Sequence, residues 1–505
     1  MPERNDTLSY FFNVISLIGM ILAVVATGLI IIFLSLEAIT GTEHPYLGVL
    51  VYFIFPTMLI LGLLLVPLGA FRVRQYRRRL APEKIPPYPD LDLNDPHKRN
   101  LFIFFIFGTV VFVIIIALAA IKGYHFTEST VFCGKLCHMV MTPEYTAWSN
   151  SPHAKVQCVE CHIGPGAKWY VKAKISGTKQ IYAVLAKTYS VPIETPIVNL
   201  RPARDICERC HWPEKFYAGR QKVFYHYAPD EKNTPREINL LINIGGTPKN
   251  PTAMGIHWHI GSEVYYIARD KKRLDIPYIA FKDKYGKVTE YHDMDKPLSK
   301  EEIEKGEKRL MDCIDCHNRP THIYRSPGQE MDENFVSGHI DPSLPYIKKV
   351  AVDLLNRSYK TKEEGLNGIA RGIEEFYARN YPLVARDKAA AIRQAIERVQ
   401  DIYARNFFPS MKVKWNTYPD HIGHFYSPGC FRCHDGRHKS PEGKVISKDC
   451  NLCHIVLSQK QENIKPGTKV KGFIHPKDIG DALYAMNCSD CHAEGGEDIP
   501  GGGKK

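Results

Sequence analysis

Three stretches of this chain are apolar without interruption by charge: Val14 to Leu36, Leu47 to Ala70 and Leu101 to Ile121. Each is about 20 residues or longer, enough to cross a ~30 Å hydrocarbon layer as a helix, so the pattern predicts three transmembrane helices. The first run is too long for the ~7 to 15-residue core of a cleaved signal peptide and has only Arg4 ahead of it, so a retained anchor is expected. Beyond Ile121 the pattern changes. Ile238, Leu240, Ile242 and Ile244 alternate with period two, Val264 to Ala268 is β-prone, and Ile276 to His292 reads as a hairpin turning at Lys284-Tyr285-Gly286-Lys287. Leu366, Ile369, Ile373 and Phe376, then Ile392, Ile396, Val399 and Tyr403, recur at helical spacing and predict packing stripes. The Gly-rich end from Glu494 to Lys505 has the composition of a disordered tail.

Charge orients the membrane segments. Arg72, Arg74, Arg77, Arg78, Arg79, Lys84, Lys98 and Arg99 lie between the second and third runs, whereas Glu37 to Tyr46 holds no Lys or Arg. The positive-inside rule therefore puts the N-terminus and the Arg-rich segment in the cytoplasm and everything after Ile121 on the opposite side of a bacterial inner membrane, in the periplasm.

The chemistry is carried by cysteine. All 14 cysteines fall in seven Cys-spacer-Cys-His units: Cys133/Cys137/His138, Cys158/Cys161/His162, Cys207/Cys210/His211, Cys313/Cys316/His317, Cys430/Cys433/His434, Cys450/Cys453/His454 and Cys488/Cys491/His492. We number them one to seven in chain order. In c-type haem attachment each thiol bonds one vinyl group and the adjacent His ligates the iron, and this requires the observed adjacency. Zinc sites built from Cys pairs do not require it. The reading is thus seven covalently bound haem c groups, with a spacer of three residues instead of two in the first unit. Haem attachment occurs outside the cytoplasmic membrane, in agreement with the charge argument.

The formal charge is +12. Seven ferric haems with ionised propionates lower it to about +5, so the basic excess serves topology and propionates, and no nucleic-acid partner is expected. At roughly 55 residues per haem after Ile121, the cofactors form much of the core. The expected fold is mainly α: three transmembrane helices plus an extracytoplasmic seven-haem domain with little regular secondary structure and a small β insertion. The boundaries read as 1–124 for the anchor, 125–219 for haems one to three, 220–310 for the β-rich insertion, 311–345 for haem four, 346–410 for a helical segment and 411–505 for haems five to seven.

Low-spin electron-transfer haems need a second axial ligand, and the chain has 21 histidines, more than the motifs use. Candidates are His153, placed to serve a haem other than that of Cys158; His259 or His257; His322; His424 or His421; His438; and His475. His226, His292 and His339 are weaker candidates.

The run Cys137-His138-Met139-Val140-Met141-Thr142-Pro143-Glu144-Tyr145, followed by Ser151-Pro152-His153 and the second unit, resembles the NapC/NirT family of membrane-anchored multihaem cytochromes. The resemblance spans about residues 125 to 215. It implies oxidation of a membrane quinol such as menaquinol and delivery of electrons to periplasmic c-type cytochromes, in anaerobic or extracellular respiration. Members have one anchor and four haems, so the chain is similar to a larger, heptahaem branch. By its Met-x-Pro register the resemblance assigns Met141 to haem one, with His138 and Met139 competing. It also implies a lysine at the quinol site, drawn from Lys168, Lys172, Lys174 and Lys179. The family's carboxylate finds no match, since no Asp or Glu lies between His162 and Glu194. Lys172, Lys174 and His125 are the quinol-site candidates. Two alternatives are a relay fed by another protein in a homo-oligomer or larger membrane complex, and a terminal reductase of a small oxyanion. The reductase would need an open iron position, and all seven units end in His.

Overall fold

In the computed structural model the described residues are all except 1–9, 12, 41–49, 79–91, 137, 165, 198–200, 217, 246–254, 466–467, 469, 471 and 493–505. The expected disordered tail therefore lies outside them. The chain divides into two compact units, Met1–Met141 and Thr142–Lys505.

The first unit holds three helices long and apolar enough to cross a membrane: α1 (Val14–Thr40), α2 (Phe55–Arg78) and α3 (Pro96–Glu128). Small residues set how closely α1 and α2 approach. A Cβ added to Gly19 would stand 2.6 Å from the Gly62 carbonyl oxygen, and one on Gly62 would stand 2.7 Å from that of Gly19. Such close backbone approach is the usual basis of helix association in lipid, where burial of apolar surface gives no driving force. The Ser16 hydroxyl donates to the Val66 carbonyl at 2.8 Å, and Ala23, Ala26, Ile30 and Leu59 fill the seam, against which Phe112, Ile115 and Ile116 of α3 pack.

α3 starts at Asp95, whose carboxylate accepts from the His97 N–H at 2.8 Å, with Pro96 in the first turn. It does not stop with the apolar run at Ile121 but continues to Glu128, where Ser129 closes it against the Phe126 carbonyl. Hydropathy marks where lipid ends; nothing between Lys122 and Glu128 breaks a helix. His125 consequently sits in the last turn.

The second unit contains two antiparallel sheets. β1 (Gly219–Tyr227), β2 (Pro235–Asn243) and β8 (His454–Lys460) form one, in that order. The other runs β6 (Arg309–Leu310), β3 (Glu263–Ile267), β4 (Tyr278–Lys282), β5 (Val288–Asp293) and β7 (His438–Lys439). The period-two segment is β2, and the expected hairpin is β4–β5, turning through Gly286 at φ +83°. Each sheet takes its last strand from the C-terminal haem region, which the local pattern did not announce.

The helices Ile347–Leu355, Lys362–Asn380 and Ala389–Asn406 form a core around Ile369, Ile373, Tyr377, Ala395, Val399 and Ile402. The second stripe lies where the periodicity put it. In the first, Tyr377 is fully buried and Phe376 only partly, because Gly365, Ile369, Ile373 and Tyr377 make the tighter i+4 row. The Lys348 ammonium is buried against Asp332 at 2.7 Å, tying the Ile347–Leu355 helix to Pro327–Val336.

Candidate haem-ligand constellation

Each regular unit folds as a tight turn. The N–H groups of His211, His317 and His434 donate back to the carbonyls of Cys207, Cys313 and Cys430 at 2.8, 2.8 and 3.0 Å. Unit four is capped by Asp312, whose carboxylate accepts from the Cys313 N–H at 2.6 Å. Gly429 before unit five has φ +48° and lies where any Cβ would strike the Gly423 carbonyl, so only glycine lets Cys430 hydrogen-bond there at 3.1 Å.

Cys210, Cys450 and Cys491 are exposed, whereas the other described motif cysteines are half-buried. Cys210 and Cys491 are the second thiols of units three and seven, and Cys450 is the first of unit six. Burial pushes the free thiols of Cys316, Cys433 and Cys453 up to about 11, 12 and 11, and once joined to haem these sulfurs would no longer titrate.

Opposite every one of the six regular motif histidines stands a second histidine. Ring centres are 6.2 Å apart for His162–His322, 5.9 Å for His211–His153, 6.4 Å for His317–His257, 5.8 Å for His434–His259, 6.1 Å for His454–His424 and 6.2 Å for His492–His475. Two imidazoles on one first-row metal, with metal–nitrogen bonds of about 2.0 Å and a little over 1 Å from nitrogen to ring centre, have centres about 6.3 Å apart. The six separations match that span. Among the described residues no three His, Cys, Asp or Glu converge as a zinc site requires. The donor set therefore suits haem c, held by the paired cysteines with iron between the paired rings.

The remaining ring nitrogens orient several ligands. Nδ1 of His257, His259, His434, His475 and His322 donates to the carbonyls of Ile244, Ile256, Ser447, Lys477 and Glu144 at 2.6, 2.8, 2.8, 2.9 and 3.1 Å, leaving Nε2 for a metal. Arg319 pins the same Glu144 at 3.2 Å. Loss of solvation lowers the pKa values of His259, His317, His322, His424 and His454. It holds His162 at about 4; that ring keeps some open surface but is crowded by protein and by His322.

Of the candidates read from sequence, His153, His259, His322, His424 and His475 face motif histidines, and His153 does so for unit three instead of its neighbour. His257 and His259 were alternatives; each has its own partner. His438 is brought to no motif histidine among the described side chains. Its Nδ1 lies 2.9 Å from Asp435 and its Nε2 2.7 Å from the Ile276 carbonyl, so both ring nitrogens are taken. His421 turns its Nδ1 to the Asp315 carbonyl, and His226, His292 and His339 turn to Asp332, Tyr278 and Ser337. Unit one differs: Cys137 and the side chains of His138 and Met139 lie outside the described residues, while Met141 is on the His138–Ser149 helix.

Among the quinol-site candidates, Lys172 and Lys174 lie on the Ala167–Leu185 helix, their ammonium groups 4.9 Å above the rings of Trp169 and Tyr170. His125 belongs to the other compact unit, beside Tyr124 at 5.6 Å.

Sequence reasoning passed over the spacer residues. Glu160 of unit two pairs with Arg209 of unit three at 3.0 Å. Asp315 of unit four, 1 % exposed, accepts from Arg273, Arg309 and Tyr266 at 2.7, 2.8 and 2.7 Å. Arg432 of unit five donates to the Asp315 carbonyl at 2.7 Å. The thiols follow the same order. Cys161 lies near Cys207 and Cys210, Cys207 near Cys313, Cys316 near Cys430, Cys430 near Cys453, and Cys450 near Cys488. Units two to seven thus adjoin in chain order.

Residues 95–195 match the NapC/NirT cytochrome c family, N-terminal region. The chain is 67% identical over 496 residues to the cytochrome c-type protein ImcH of Geobacter sulfurreducens, covering 98% of each protein. The chain belongs to the NapC/NirT cytochrome c family. A more distant relative is the cytochrome c-type protein NrfH of Wolinella succinogenes, 32% identical over 78 residues, which are 15% of this chain and 44% of that protein. No solved structure matches. As a NapC/NirT member the chain is a membrane multihaem cytochrome of electron transfer, and the family carries covalently bound haem c.

Proposed function

We propose that this NapC/NirT cytochrome oxidises quinol at the bacterial inner membrane, with its N-terminus cytoplasmic and its haem domain periplasmic, and hands the electrons to periplasmic c-type cytochromes. Bound haem c supplies a one-electron carrier at each of seven units. The observation that carries the reading is the six-fold pairing of motif histidines with second histidines. Iron with a histidine on both sides has no position for an oxyanion, which disfavours a terminal reductase and favours a relay. Unit one, nearest α3 in sequence and different in spacing, is then the entry point, with Met141 the candidate second ligand.

Oxidation of one quinol to quinone releases two electrons and two protons, so the entry site needs a base within reach of the quinol hydroxyls. His125 is the candidate base, and Lys172 and Lys174 are the candidate hydrogen-bond donors to the quinol oxygens. Their helix, Ala167–Leu185, leaves Val171, Ile175, Tyr182 and Leu185 exposed beside those lysines, a composition suited to the headgroup zone of a bilayer.

The test is anaerobic mixing of the purified full chain with a reduced naphthoquinol, followed by haem absorbance. Reduction is expected, and Lys172→Gln, Lys174→Gln and Met141→Leu should include at least one variant slowed by about tenfold or more. Reduction by dithionite but not by quinol contradicts the proposal, and unchanged rates in all three variants remove the site assignment.

A further inference from the structure

His257 and His259 stand two residues apart on one short strap, yet they face the histidines of two different units. His257 lies 6.4 Å from His317 with its plane tilted by 5°, and His259 lies 5.8 Å from His434 at 85°. Two residues of backbone span at most about 7 Å, so whatever the two rings hold are immediate neighbours. We infer that the strap Gly255–Ser262 is a shared clamp, completing the ligand pairs of units four and five at once and making their haems a single coupled redox pair. This rests on the haem reading given above.

Three further features point the same way. First, the strap is fixed at its root. A Cβ on Gly255 would stand 2.6 Å from the carbonyl oxygens of Asn243 and Gly245, and the Ile256 N–H donates to the Asn243 carbonyl at 2.8 Å. At its far end Arg204 donates to the Ile260 carbonyl at 2.7 Å. Second, the two units are latched through their own spacers. Arg432 donates to the carbonyls of Asp315, Arg273 and Gly429 at 2.7, 2.9 and 2.8 Å. Third, the latch is rich in positive charge: Arg273 and Arg309 pair with the buried Asp315 carboxylate, while Arg432 donates to the backbone carbonyls of Asp315 and Gly429. Reduction would add an electron at each unit, and the Arg432 guanidinium, lying against both, would favour that state at both.

The experiment uses the full-length holoprotein, with electron paramagnetic resonance to count low-spin bis-histidine haems and potentiometric titration to resolve midpoints. Arg432→Gln should keep the wild-type count and lower two midpoints together. His259→Ala should convert one bis-histidine haem to another ligation and shift the g-values of a second. If Arg432→Gln moves one midpoint or none, the coupling is overturned, and this variant decides the matter even where His259→Ala fails to accumulate. If His259→Ala changes one haem and leaves every other signal in place, the shared clamp is overturned. If it leaves the count at wild type, the underlying ligand assignment falls, whereas failure of the quinol proposal alone would appear as lost quinol reduction with these spectra unchanged.

Discussion

Buried charge in this chain is matched at its most enclosed sites. The Lys348 ammonium is 2 % exposed and is shared between Asp332 at 2.7 Å and the Tyr227 carbonyl. Removing one partner of such a pair typically costs about 3–5 kcal/mol, because the other charge stays desolvated. Asp332→Ala should therefore lower stability by about that amount in denaturant unfolding of the haem-loaded protein, whereas Lys349→Ala, on an exposed helical pair, should shift it by less than about 0.5 kcal/mol. At this scale the motif cysteines and histidines were legible in the sequence because covalent attachment forces them to be adjacent. The second ligands were only partly so. His438 and His257 look alike along the chain, and what separates them is whether polar neighbours occupy both ring nitrogens. Asp435, three residues before His438, was the available signal. For His257 the signal was its place two residues before His259 in a segment without motif cysteines.

Packing of whole elements depends on where the backbone needs room. Gly62→Leu should push α2 off α1, since even one Cβ there meets the Gly19 carbonyl and the Ala23 nitrogen within 2.8 Å. A loss of about 1–3 kcal/mol is expected, read as a lower unfolding temperature in detergent, with Gly108→Leu on α3, where a Cβ meets nothing within 4 Å, serving as the neutral control. Gly429→Ala should likewise reduce covalent loading of unit five, measurable as one missing haem by mass, because no Cβ fits against Gly423. The membrane helices and the 362–406 helices were readable because one-faced or all-round apolar spacing survives any tertiary context. The sheet closures were not. β7 has only two residues, β8 begins at the last residue of unit six, and their pairing is with β5 and β2, distant in sequence. The continuation of α3 past Ile121 was also invisible to hydropathy, which reports lipid exposure and not backbone conformation.

For the molecule as a whole, the proximity of their cysteines orders units two to seven along the chain, which suits a single path without branching through distant elements. Six units are alike in having two facing histidines, and the first, with its longer spacer, stands apart as the proposed point of entry. That contrast can be counted directly. Low-temperature electron paramagnetic resonance combined with near-infrared magnetic circular dichroism on the purified, fully oxidised protein should give six bis-histidine haems and one haem with a different ligand set. Seven bis-histidine haems, or fewer than six, would contradict it.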